Sequence, residues 1–118
     1  MTNELKTFDL RERLLKFSKR ILEIVKMLPR SPEGDVIRKQ LVAAGTSIGA
    51  NYEEADGAIS KRDFTHKMAI ARKEANETKY WLKVISGDFV QPNEIEGDIK
   101  EVTEIIKIFS SIINKTRK

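Results

Sequence analysis

Apolar residues recur at steps of four and three along four long stretches of this chain, and few folds are open to a chain so patterned. Leu10, Leu14, Phe17, Ile21, Ile24 and Leu28 form the first row, and Ile37, Leu41, Ala44, Ile48, Asn51 and Ala55 the second. The third runs through Phe64, Met68, Ala71, Ala75, Thr78, Leu82 and Ile85; the fourth through Ile95, Ile99, Val102, Ile106, Phe109 and Ile113. Residues three and four apart stack on one side of an α-helix, so each row is a helix face. No alternating strand pattern competes. Pro29, Pro32 and Pro92 fall between the rows, where helix breakers belong. Ser60 followed by Asp63 resembles a capping box, a helix-start signal. The expectation is an all-α chain with one domain over residues 1–118 and helices at about 5–28, 35–56, 61–86 and 93–115. Short connections force antiparallel neighbours, which gives an up-down-up-down four-helix bundle with shallow crossings.

The stretch LVAAGTSIGANYEEADG, residues 41–57, interrupts this regularity. Gly45 and Gly49 could belong to a flexible loop, to a phosphate cradle, or to a tightly packed helix. A cradle lacks its preceding strand and its G-x-x-x-x-G-K-[ST] spacing. Inside a helix each glycine costs about 1 kcal/mol relative to Ala, a cost that close backbone approach can offset. With Ala69, Ala71 and Ala75 small in the third helix, the expected contact is a thin waist between helices two and three. Asn51 falls on the apolar row itself. Its amide either fixes helix register through an interhelical hydrogen bond or joins a polar network with Glu53 or Glu54 and Arg72 or Lys73.

Composition narrows the function. The chain has no cysteine and one histidine, His66. Disulfides, Cys-based zinc sites and Cys–His catalysis are thereby excluded, and no Ser–His–Asp set can be argued from the single histidine. Glu53–Glu54 and Glu74–Glu77 lack the Glu-x-x-His pairs of a di-iron bundle. No catalytic residue, metal, cofactor or small-molecule substrate is expected, and the chain reads as non-enzymatic. No apolar run approaches the ~20 residues of a membrane span, and the first residues lack a signal-peptide core. A cytoplasmic location is the expectation.

Two surface features remain. The net charge is +4, and the cations crowd into the third helix: Lys61, Arg62, Lys67, Arg72, Lys73, Lys79 and Lys83. Their helical phases differ, so alone they make a weak anion footprint; copies arranged about an axis would sum the field until phosphate contacts become reachable. Tyr80 and Trp81 are adjacent and must point in different directions, one inward and one outward. Further, the apolar faces of helices one and four look too wide for a lone bundle. Leu15, Leu22 and Val25 flank the first row, and Ile105, Ile108 and Ile112 the fourth. Left in water they form a patch that self-association would cover; the alternative is a greasy monomer surface.

The segment AAGTSIGANYEEADGAISKRDFTHKMAIARKEANETKYWLK closely resembles the signature of the bacterial four-helix proteins encoded in 23S rRNA intervening sequences. Ser47 through Ala55 match, then Asp63-Phe64, Lys73-Glu74-Ala75, Glu77-Thr78 and Tyr80-Trp81-Leu82. The resemblance implies an antiparallel bundle assembled as a ring-shaped homo-oligomer, a pentamer. It also implies kinship with the accessory variability determinant of diversity-generating retroelements, a basic barrel that binds nucleic acid and a reverse transcriptase. The function expected is an oligomeric bundle associated with RNA or a ribonucleoprotein; the rival is a protein-interaction scaffold with no nucleic-acid role. Glu53, Glu54 and Asp56 make the signature itself acid-rich.

Overall fold

The computed structural model describes the backbone of residues 2–117 and the side chains of residues 10–117. Four helices follow one another: α1 (Thr2–Val25), α2 (Pro32–Asp56), α3 (Lys61–Ile85) and α4 (Pro92–Arg117). No strand occurs among the described residues. Consecutive helices pack side by side, α1 on α2, α2 on α3 and α3 on α4, in a body of 45 × 27 × 19 Å.

Local chemistry sets the helix limits. Serine hydroxyls satisfy the first free amides of two helices. Ser31 Oγ accepts from Gly34 N at 3.1 Å and starts α2. Ser60 Oγ accepts from Asp63 N at 3.0 Å and starts α3. Pro32 therefore opens α2 rather than preceding it: at a first helical position its missing N–H costs nothing and its fixed φ is already helical. α1 stops at Val25 instead of running to residue 28, because Lys26, Met27 and Leu28 tighten into bonds three residues back. Leu28 stays buried all the same. At the far end Gly87 adopts φ 91°, which a side chain would resist. The turn it makes carries Phe89 N and Val90 N back to the Ile85 carbonyl and tucks Val90 into the core.

The core follows the four rows with two shifts. On α2 the buried residue is Tyr52, stacked on Phe109 of α4 at 6.1 Å between ring centroids, and not Asn51. Asn51 is half-exposed and donates to Ser47 O of its own helix, so the expected interhelical bond is replaced by a local one. On α4 Ile105 is fully buried while Ile106 is half-exposed. α2 and α3 are the most closely packed pair, as the small residues of both imply, but Gly45 itself faces α1: a Cβ on it would stand 2.8 Å from both Cγ atoms of Ile21. Ser18 Oγ donates to Gly45 O across the same contact, at 3.4 Å. Gly49 faces Leu14 and Ser18 at ordinary van der Waals distance.

Three glycine-to-alanine substitutions separate helix propensity from packing. Gly97→Ala, which meets nothing within 4 Å, raises stability by about 0.5–1 kcal/mol. Gly49→Ala shifts it in the same direction by less. Gly45→Ala lowers it by about 1–3 kcal/mol, since Ile21 is fully buried and cannot yield. Denaturant unfolding of the three variants checks the order, and a Gly45→Ala variant as stable as the parent would contradict the close approach.

Candidate nucleic-acid interface

An antiparallel bundle has four seams between neighbouring helices, and charged side chains at the edge of a seam pair across it where an opposite charge is in reach. Across α1–α2, Arg11 meets Glu53 at 3.2 Å and also Asp56. Across α2–α3, Lys67 donates to Glu54 at 2.9 Å, which raises the lysine pKa. Across α4–α1, Arg13 grips Glu101 with two bonds of 2.6 and 2.8 Å, and Arg20 meets Asp98 at 3.1 Å. The Arg13 hydrogen bonds hold the Glu101 carboxyl below its ordinary range, and the bond to Asp98 raises Arg20. Three seams are thus laced by ion pairs, and the acids of the signature are spent there.

The α3–α4 seam differs. The bond that marks it is Arg72 Nη1 to the neutral hydroxyl of Ser110, at 3.2 Å. No ion pair crosses it among the described residues. That bond identifies the facing rows by helical spacing. On α3 the row is Lys61, Thr65, Arg72, Asn76, Lys79 and Lys83; on α4 it is Lys100, Thr103, Lys107, Ser110, Asn114 and Arg117. The α3 row contains no acid; on α4, Glu96 lies one turn before Lys100 at the closed end of the hairpin, and Glu104 borders the row between Lys100 and Lys107. Hydroxyls, amides and cations alternate along both rows, the donor set that phosphate oxygens accept from. Two shallow hollows open on this side. One, of about 580 Å³, is lined by Lys61, Arg62, Thr65, His66, Ala69, Thr116 and Arg117. The other, of about 430 Å³, is lined by Ile106, Lys107, Ser110, Ser111, Asn114 and Lys115.

The seven α3 cations expected from the sequence therefore divide. Lys67 is occupied by Glu54 on the opposite flank and Arg72 by Ser110. Lys61, Lys79 and Lys83 line the α4 side, while Arg62 and Lys73 stand on the outward face, exposed. Lys107, Lys115 and Arg117 of α4 belong to the same surface and escape an α3-only view. Their signal was the absence of any acid from residue 105 to the C-terminus. Trp81 packs partly buried against the core and Tyr80 is exposed, as adjacency requires.

The expected self-association surface is corrected in part. Leu15 and Leu22 are 57% and 44% exposed. Val25 and Ile105, however, are core residues, and Ile108 and Ile112 lie half-buried against that core. The reason is the spacing of the bundle. α1 and α4 stand farther apart than the consecutive pairs, so their seam needs a wider apolar strip, and Ile105 fills it. Among the described residues, no helix is long and apolar enough to cross a membrane, and no cluster of three or more His, Asp or Glu is placed to hold a metal ion.

The family model for the 23S rRNA-intervening sequence proteins matches residues 6–111. The chain belongs to the 23S rRNA-intervening sequence protein family. A crystal structure of a protein of unknown function from the S23 ribosomal protein family of Bacteroides thetaiotaomicron is similar throughout. Its TM-score is 0.80 at 41% identity, covering 87% of this chain and 96% of that one. No curated protein matches the chain.

The ion pairs of the α4–α1 seam give this family member a pH signature. The folded pKa of Glu101 lies below its ordinary 4.5, so its stabilisation is present above that value and is lost as pH falls through 4.5 toward the folded pKa. Glu101→Gln lowers stability at pH 7 by about 0.5–1 kcal/mol, discounted because the pair is about a third exposed. The difference from the parent shrinks below pH 4.5, as thermal melts across pH measure. A deficit that persists undiminished at pH 3 would assign the loss to packing instead.

Proposed function

We propose that this member of the 23S rRNA-intervening sequence protein family is a non-enzymatic, self-associating cytoplasmic bundle that holds RNA, free or within a ribonucleoprotein, against its α3–α4 face. The observation that carries the reading is the unlaced seam: among the described residues no ion pair crosses between α3 and α4, and cations and neutral donors predominate along it, while the other three seams pair theirs. A face that keeps its cations unpaired contributes counterion release when phosphates arrive. The acids of Glu53, Glu54 and Asp56 do not oppose it, because Arg11 and Lys67 hold them on other flanks.

Assembly is part of the same proposal. Leu15 and Leu22 lie seven residues apart on one face of α1, the spacing of a helix-to-helix seam, and remain exposed in the single chain. We assign them to contacts between copies in a ring, a pentamer by the family resemblance. The ring repeats the basic face about its axis and sums its field. The rival reading, a scaffold for another protein, draws on the same exposed leucines and needs no RNA.

Filter binding of a structured 23S rRNA fragment across a salt series decides between them. Combined Lys61→Ala, Lys107→Ala and Arg117→Ala, all at exposed positions, weakens binding and lowers the salt slope by about one per contact removed. Unchanged binding overturns the assigned face, and no binding by the parent at low salt leaves the scaffold. Light scattering at micromolar concentration tests the assembly: a multiple of the 13.5 kDa chain mass is expected, reverting to one copy in Leu15→Glu with Leu22→Glu. A monomeric parent removes the ring.

A further inference from the structure

The outward face of α3 carries a second pattern, which shares Asn76 and Lys83 with the edge of the α4 seam. Arg62, His66, Lys73, Asn76, Tyr80 and Lys83 follow one another at helical spacing and all six are exposed. No acid falls on the row. The acids of α3 lie elsewhere: Asp63 at the cap, Glu74 and Glu77 on the flank toward α2, where Glu77 Oε2 accepts from Trp81 Nε1 at 3.4 Å. Cations thus recur over about 30 Å of helix with an aromatic ring among them.

That ring is unusual for its setting. Tyr80 is 60% exposed, in a protein whose other described aromatic rings are buried or half-buried. It is also held. Its ring meets Trp81 edge-on, with centroids 5.2 Å apart and planes at 72°, and Trp81 is packed against the core. A tyrosine kept in water by a buried neighbour presents a fixed π-face. Lys83 stands about one turn beyond it, and Lys73 about two turns before. An aromatic platform flanked by cations fits unstacked bases on a charged backbone better than it fits a duplex, whose bases are already stacked and hidden.

We propose that the outward face of α3 is a track for single-stranded RNA, with Tyr80 as its stacking platform and Lys73 and Lys83 as its phosphate contacts. This rests on the RNA reading above and narrows it: the ligand is an unpaired segment rather than a helix. The strand continues along α3 toward Arg62 and His66, which line the hollow shared with Arg117 of α4.

Fluorescence anisotropy with a labelled 20-nucleotide single strand, and with the duplex of the same sequence, tests the track at two salt concentrations. The parent binds the single strand more tightly than the duplex. Tyr80→Ala weakens the single strand about tenfold, the effect of one base losing its aromatic partner, and leaves both the duplex affinity and the salt slope alone. Tyr80→Phe keeps the parent affinity, since the π-face is retained. Lys73→Ala and Lys83→Ala each lower the salt slope by about 0.7, the single-strand value per phosphate. If RNA binds but Tyr80→Ala changes nothing, or weakens duplex and single strand alike, the track is wrong and the broader RNA reading stands. If neither RNA form binds the parent at low salt, both fall. Because Tyr80 is exposed, its variants keep the helical circular dichroism of the parent, so a loss of affinity reports the surface and not the fold.

Discussion

The contact between Gly45 of α2 and Ile21 of α1 governs the cross-section of this bundle. Removing one Cβ from the seam lets two backbones close until an isoleucine side chain rests on bare peptide. α1 and α4, the first and last helices, make fewer close backbone contacts than the consecutive pairs. There the apolar strip widens to take in Ile105, and long arginine side chains reach across the rim to Glu101 and Asp98. Packing density forbids leaving that gap empty, so the breadth of the α4 apolar face answers an internal need before any external one.

Charge placement follows from the same cross-section. The rim of the wide seam draws α4's inward-leaning acids toward α1, and the close α1–α2 contact brings Glu53 and Asp56 within reach of Arg11. Glu54 turns to Lys67 on the remaining flank. Once the acids are distributed this way, the α3–α4 side is left mainly with cations, hydroxyls and amides, with Glu96 and Glu104 at its α4 edge. None of these surface pairs contributes much to stability singly. Their effect is to sort the field, so that a chain of modest net charge keeps one predominantly basic face.

Much of this was legible from spacing. The four-three rows located the helices and nearly all of the core, because burial on one side of a helix leaves no other periodicity. The misreadings share one cause: a row says which residues lie on a face but not which neighbour that face meets. Gly45 was recognisable as a close contact, yet nothing along the chain distinguishes α1 from α3 as the partner. Asn51 and Tyr52 compete for one position, and only the place of the Phe109 ring decides for Tyr52. Ile105 and Ile106 differ by one helical step, and the breadth of the α1–α4 gap chose between them. The α3 cations looked scattered because a single helix was in view, and α4 supplies the second row that makes a face of them.

By itself the sequence determined the helix count, the boundaries to within a few residues, the start of α3 at the Ser60 hydroxyl, and the absence of thiol chemistry. These are local properties, set by neighbours within about one turn or by composition. The tertiary structure alone decided which helices touch closely, which apolar residues are core rather than surface, and where each acid finds its cation. Those outcomes depend on distances between segments far apart in the chain, which no periodicity encodes, because helical phase fixes direction around an axis and is silent on the separation between axes.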